Sequence, residues 1–460
     1  MQYVSTRGAA PALDFGDVLL TGLATDGGLY VPAEWPPLPD TARAADLSYA
    51  ELARAVMYPF VEGVIASDDF GRLVADAYAT FHHEEVIPFR EIGPDHWLME
   101  LFWGPTLAFK DVALQLVGRL FDHELTARSE RRTIVGATSG DTGSAAIAAC
   151  RDRPCLDVFI LFPEGRVSEV QRRQMTTVDA ANVHCVEIRG TFDDCQDLVK
   201  AMFGDESFRS EQQLGAVNSI NWARVMAQVV YYVWAGRRFG ELEKPVSFSV
   251  PTGNFGNVFA GEVARRMGVP VGQFIVASNR NDILTQFFGD GSMTIGEVHP
   301  TLSPSMDIQV SSNLERLLFE LLGRDGVAMA EFMARFRGEG HVGLEAEQFA
   351  LTSEHWTGAS VDDAGTSATI ARYYADQGYL LDPHTAVGVQ AAERCRRDTG
   401  VPLITLATAH PAKFPDAVEA ATGVRPELPP HLADLHTRAE RYVTLDNDLA
   451  TVSRYVAENR

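Results

Sequence analysis

"RTIVGATSGDTGSAAIAAC", Arg132 to Cys150, reads as a short β-branched strand, a loop rich in glycine and hydroxyls, and the start of a helix. The same order recurs along the chain. "LDVFILF" leads to "SEVQRRQM", "NVHCVEI" to "FDDCQDLVKAMF", and "VSFSV" through "PTGNFGN" to "VFAGEVARRMG". "FIVAS" follows, and near the end "PLITLA" leads through "TAHPAKF" to "PDAVEAATG". Such alternation specifies an α/β fold with mainly parallel sheets. Ligands in open sheets of this class bind beyond the carboxyl ends of the strands, so the loops after strands are where chemistry is sought.

Outward from that core the chain divides. Residues 1–95 read as a separate N-terminal unit, turn-rich at "DGGLYVP" and "PPLPD" and helical at "YAELARAVMYPFV". Residues 96–245 and 246–425 form two α/β domains, the second interrupted by helices and loops over 285–365, and 426–460 reads as a C-terminal helical tail. "FHHEE", Phe81 to Glu85, lacks the i, i+4 histidine spacing of a zinc helix and reads as a solvated helical face, so no metal is assigned.

Composition bounds the function. A length of 460 residues predicts two or three domains, and 46% hydrophobic residues fill a sizeable core. A formal net charge of -23 argues against nucleic acid and anionic membrane surfaces as partners, while leaving room for a small anion in a locally positive pocket. The five cysteines, Cys150, Cys155, Cys185, Cys195 and Cys395, form no CxxC pair and read as reduced, mostly buried thiols. The opening "MQYVSTRGAAPALDF" does not read as a secretory leader, and no apolar run is long enough to span a bilayer. The expected location is cytoplasmic.

Three loops carry the polar groups. In "VPTGNFGNVF", Gly253 and Gly256 flank Asn254 and Phe255, with Asn257 following as a helix begins. Glycines let the backbone turn its N–H groups inward, and the helix start adds a field that suits a phosphate. The loop is neither a Walker A nor a GxGxxG sequence, so neither nucleotide fold is expected. "ATSGDTGSAA" supplies hydroxyls from Thr138, Ser139 and Thr142 and backbone N–H groups at Gly140 and Gly143, a cradle better suited to a carboxylate. A plain helix cap would use half of the same residues. In "ATAHPAKF", Thr408, His410 and Lys413 lie just beyond a strand.

"GPTLAFKDVALQ", Gly104 to Gln115, places Lys110 at a helix start among Trp103, Leu107 and Phe109. The helix field and the apolar surroundings both disfavour its charged form. A neutral amine is what Schiff-base chemistry needs. A carbonyl cofactor bearing a phosphate would use Lys110 and the glycine loop together, and pyridoxal 5'-phosphate meets that description.

Taken in order, "GPTLAFKDVALQ", "ATSGDTGSAA", "NSINWARVMAQ", "VPTGNFGNVFAG" and "TAHPAKF" closely resemble the threonine synthase family, in its longer microbial and fungal branch. "YVSTRG" and "DGGLYVP" resemble its N-terminal signature, and the likeness runs from about residue 3 to about residue 425. It implies the tryptophan-synthase-β-like pyridoxal-phosphate fold, two mainly parallel α/β domains with an extra N-terminal unit. It also implies conversion of O-phospho-L-homoserine and water to L-threonine and phosphate. Lys110 would be the Schiff-base lysine. Gly253, Asn254, Phe255, Gly256 and Asn257 would hold the cofactor phosphate, and Thr408 would face the pyridine nitrogen. Thr138, Ser139, Gly140 and Thr142 would receive the substrate carboxylate. Asp141 would repel that carboxylate, so it is expected to face the substrate nitrogen or the cofactor's phenolic oxygen, or to be protonated. Ser219, Asn221 and Arg224 are the first choice for the substrate phosphate, with Asn313, Arg316 and Lys413 as alternatives. The oligomeric expectation is a monomer or weak dimer.

Other readings compete. Within the same cofactor class these are an amino-acid dehydratase, an O-acetylserine sulfhydrylase, and a phospho-lyase releasing 2-oxobutyrate. Outside it, a non-catalytic cofactor-binding relative would need no reactive lysine, and Lys110 argues against it.

Overall fold

Strands buried on both faces need helices on both sides, and the repeated apolar runs form two such layers. The computed structural model describes residues 1–460 except Ala45 and Val217. One sheet is wholly parallel and runs in the order Val443–Asp446, Val183–Arg189, Leu156–Pro163, Arg132–Ala137, Leu214–Gly215. Its central strand, Leu156–Pro163, is buried along its whole length. The other runs Trp356–Ser360, Val271–Ser278, Val246–Pro251, Leu403–Ala407, His96–Glu100, Phe89–Gly93, parallel except for the last strand. The helices Lys110–Arg128 and Trp222–Gly240 pack against each other, and both are buried over most of their length. Where the first crosses helix Asp141–Cys150, a Cβ on Gly118 would sit 2.4 Å from the Ala149 carbonyl oxygen, so the close approach requires glycine.

The sheets do not respect the boundaries expected from sequence. Phe89–Gly93, assigned to the N-terminal unit, is the edge strand of the six-stranded sheet. His96–Glu100, assigned to the first α/β domain, pairs with Leu403–Ala407 of the second. The 285–365 interruption returns to the sheet at Trp356–Ser360. The 426–460 segment is not a helical tail. Its strand Val443–Asp446 extends the five-stranded sheet, and only Leu449–Glu458 is α-helical. "FHHEE" is irregular rather than a helical face, and His82 stacks on His431 with ring centroids 3.7 Å apart.

The N-terminal unit is tied into the molecule. The Tyr3 hydroxyl donates to the Phe60 carbonyl, and its ring packs on Phe15 and Trp222. Thr6 and Arg7 both donate to the Glu315 carboxylate. The neighbouring Arg316 is fully buried and donates to the carbonyls of Tyr30 and Ile220. Among the described residues no helix is long and apolar enough to cross a membrane.

Candidate active site

Two motifs far apart in sequence are joined by their backbones. Ala108 bridges Ala409, the Phe109 N–H donates to the Thr408 carbonyl at 2.8 Å, and the His410 N–H donates to the Leu107 carbonyl at 3.0 Å. The turn before Lys110 is shaped by Asp111. It accepts from the N–H and the hydroxyl of Thr106, both at 2.7 Å, and its burial pushes its carboxyl up to about 6. Gly104 lies against this side chain, where a Cβ would come 2.4 Å from the Asp111 Cβ. Lys110 then opens the helix with no side-chain cap, as the sequence predicts, and its Nζ lies 5.0 Å from the centre of the Phe109 ring.

Asp141 lies opposite Lys110 and is the hub of the site. Its Oδ2 faces Lys110 Nζ at 3.3 Å and Ser305 Oγ at 3.4 Å, while its Oδ1 faces Lys413 Nζ at 3.0 Å and accepts from Gln171 Nε2 at 2.9 Å. Burial alone would raise this carboxyl, but the two ammonium groups and Gln171 hold it well below the usual range. The two ammonium groups and the Gln171 amide on its oxygens favour the ionised form over the protonated alternative. Burial lowers the Lys110 amine. Asp141 opposes that shift, and Lys413 and Arg224 reinforce it.

Ser305 links Lys110 to the glycine loop. Its Oγ is 3.5 Å from Lys110 Nζ, and its carbonyl would lie 2.8 Å from a Cβ on Gly253. Phe255 adopts the left-handed conformation (φ 63°) just before helix Gly256–Arg266. Its ring points into the core, stacked with Phe288 and Trp356, so what it brings to the loop is its backbone. Asn257 accepts from the hydroxyls of Tyr231 and Tyr232, yet its buried Nδ2 has no partner among the described residues. Helix-start N–H groups and an orphaned amide donor fit an anion.

Thr408 is buried, its N–H donates to Thr385 Oγ1 at 3.2 Å, and its hydroxyl has no protein partner among the described residues. Arg224 is buried with Nη1 unpartnered among the described residues, and burial lowers its guanidinium to about 10. In the 138–142 loop, Thr138 Oγ1 accepts from the N–H groups of Gly140 and Gly143, both at 2.9 Å. Thr138 thus shapes the loop through its two acceptor positions and keeps its O–H as a donor, while the Gly140 N–H is already used. Ser139 and Thr142 are half-buried, and their hydroxyls have no partner among the described residues.

Several expected phosphate ligands are committed elsewhere. Asn221 caps helix Trp222–Gly240 through Ala223 N–H and donates to the Leu19 carbonyl at 2.8 Å. Asn313 donates to the carbonyls of Ser219 and Asn254. Arg316 holds backbone carbonyls and the Asn313 oxygen. Lys413 spends its three N–H groups on the Thr106 carbonyl (2.7 Å), Gln174 Oε1 (2.9 Å) and Asp141. Of Ser219, the carbonyl accepts from Asn313.

Sequence reasoning missed Ser305, Gln171, Gln174 and the Asp382–His384 pair. His384 Nε2 accepts the Ser305 N–H at 3.3 Å, so Nδ1 carries the proton toward Asp382 Oδ1 at 2.9 Å. The signal was present in "DPHTAVG". There Asp382 caps a helix that has proline at its first position.

Comparison with known proteins matches three family profiles: threonine synthase N terminus over residues 2–78, pyridoxal-phosphate dependent enzyme over 86–335, and threonine synthase, C-terminal over 385–456. Threonine synthase of Pseudomonas aeruginosa is 54% identical, over 100% of this chain and 98% of that protein. The chain belongs to the threonine synthase family. Among solved structures, pyridoxal-phosphate-bound threonine synthase from Brucella melitensis superposes with a TM-score of 0.98 at 51% identity, covering 100% of this chain and 99% of the other. The yeast enzyme gives 0.94 at 39%, covering 100% and 98%. The fold is the pyridoxal-phosphate type expected from sequence, and the family's cofactor is pyridoxal phosphate. The residues present fit that group. A buried lysine with a lowered amine stands beside a glycine-shaped helix start that carries an orphaned amide donor.

Proposed function

We propose that this chain converts O-phospho-L-homoserine and water to L-threonine and inorganic phosphate, with Lys110 as the cofactor-linked lysine. The net change replaces the Cγ–O bond by Cγ–H, and Cβ–H by Cβ–OH. One C–H bond must therefore break at Cβ and one form at Cγ, and water must be admitted only at Cβ. When bound, pyridoxal phosphate would supply an aldehyde for the substrate amine and a sink for electrons from Cα.

This chain's residues supply the rest. Lys110 takes and returns protons at Cα, Cβ and Cγ as base and then as acid, a role that the lowering of its amine by burial favours. Residues 253–257 hold the cofactor phosphate through helix-start N–H groups and Asn257 Nδ2. The Thr408 hydroxyl, buried and without a partner among the described residues, would serve as the ring nitrogen's neutral partner and limit how far the ring draws charge. Ser139 and Thr142 receive the substrate carboxylate at the start of helix Asp141–Cys150. Asp141, ionised and turned to the lysines, stays off that carboxylate and orients the Lys110 amine.

The observation that carries the reading is Arg224, a buried guanidinium with an unpartnered nitrogen whose charge reaches Lys110. With Asp141 already paired to Lys110 and Lys413, the buried charge of Arg224 beside Lys110 has no carboxylate partner among the described residues, which suits a substrate that brings a dianion of its own. The test is incubation with O-phosphohomoserine, measuring threonine, 2-oxobutyrate and phosphate together. Threonine equal to phosphate supports the reading. Phosphate accompanied by 2-oxobutyrate in place of threonine selects the phospho-lyase, and no turnover selects the non-catalytic relative.

A further inference from the structure

The geometry points to Lys413 as a positioning residue for the reaction. It claims one oxygen of Asp141, leaving the other to orient the Lys110 amine. The inference rests on Lys110 being the cofactor lysine. Lys413 is fully buried, and all three of its N–H groups are taken by Thr106, Gln174 and Asp141. A lysine nitrogen bound this way is fixed, and it has no donor left for a substrate. Its anchors belong to the catalytic frame. Thr106 lies in the turn that sets Lys110, and Gln174 shares helix Glu169–Thr176 with Gln171, which holds the same Asp141 oxygen.

The division of Asp141 has a chemical consequence. A carboxylate devoted to Lys110 alone would hold its proton tightly and blunt it as a base. With Oδ1 given to Lys413 and Gln171, only Oδ2 faces Lys110, and it is shared with Ser305. The charged and titratable groups around the two lysines are Asp141, Asp111, Arg224, His384 and His410. Lys413 and Arg224 favour the neutral Lys110 amine, and Asp141 opposes them.

The test uses holoenzyme and Lys413→Met. Removing the cation leaves Asp141 undivided, so the nitrogen of Lys110 holds its proton more strongly. The acidic limb of kcat and the midpoint of the bound cofactor's visible absorbance should both move upward by about one pH unit. A purely structural lysine would instead lower the melting temperature and reduce kcat equally at every pH. Midpoints unchanged on both counts in a folded variant would overturn the proposal. If Lys413→Met does not fold, Gln174→Glu decides, since it places a carboxylate on the same ammonium and cancels its charge in situ. It should give the same upward shift, and no shift would again overturn the proposal. Borohydride labelling of a lysine other than Lys110 would sink the functional reading itself. Correct labelling with unmoved midpoints sinks only the role of Lys413.

Discussion

At the scale of single residues, Lys110 is buried with Asp141 and Ser305 within reach of its amine. Lys110 was legible because a cation at an apolar helix start has no ordinary structural reason to be there. Asp141 was legible as a problem, and its solution required knowing that two lysines and Gln171 converge on it. The candidates for the substrate phosphate could not be ranked from sequence. Arg224, Arg316 and Lys413 look alike in sequence, yet two of them have their donors taken by carbonyls and side chains, while Arg224 keeps a buried nitrogen free among the described residues. A charge-assisted contact of that kind is worth about 1.5–3 kcal/mol. Arg224→Ala should therefore lower kcat/KM for O-phosphohomoserine by roughly ten- to a hundred-fold and leave the cofactor absorbance unchanged. Inorganic phosphate should inhibit the wild type competitively and the variant far less. Equal inhibition of both would remove Arg224 from the substrate site.

At the scale of elements, the strand–loop–helix alternation placed the loops correctly because buried parallel strands need continuous apolar runs that stand out in sequence. It failed where elements are short or irregular. Val443–Asp446 is a four-residue strand whose existence depends on pairing with Val183–Arg189. Ser305 lies in a single 3-10 turn without periodicity. The backbone pairing of 107–109 with 408–410 could not be read locally either, since it joins two loops through main-chain groups that every residue carries. That pairing depends on the tight turn at Gly104, where the Asp111 side chain leaves no space for a Cβ. Gly104→Ala should cost about 1–3 kcal/mol of stability, read as a lower urea midpoint. It should also weaken cofactor retention, because the strain falls on the turn that sets Lys110. A stable variant with tight cofactor would show that this turn yields easily.

At the scale of the whole molecule, the N-terminal unit and the 285–365 insertion act together as a brace. Glu315 holds Thr6 and Arg7, while Arg316 holds the Tyr30 and Ile220 carbonyls, so the insertion helix Leu314–Leu321 spans from the N-terminal hairpin to the loop before Arg224. Asn313 carries the brace on to the Asn254 carbonyl in the glycine loop. Charge and length argued against whole classes of function but gave no hint of this connection, which is made by contacts nearly three hundred residues apart in sequence. Arg316→Met strands buried carbonyl oxygens at about 1–3 kcal/mol. It should lower the melting temperature and the cofactor occupancy together, whereas Arg224→Ala spares both. A loss of substrate affinity with unchanged melting would return Arg316 to the substrate site.

The account stands on Lys110 as the residue joined to the cofactor. Borohydride reduction of the holoenzyme, followed by peptide mapping, reads this directly. The phosphopyridoxyl group should be found on the peptide carrying Lys110 and on no other lysine. A label on Lys413, or on any lysine outside "GPTLAFKDVALQ", would contradict the account.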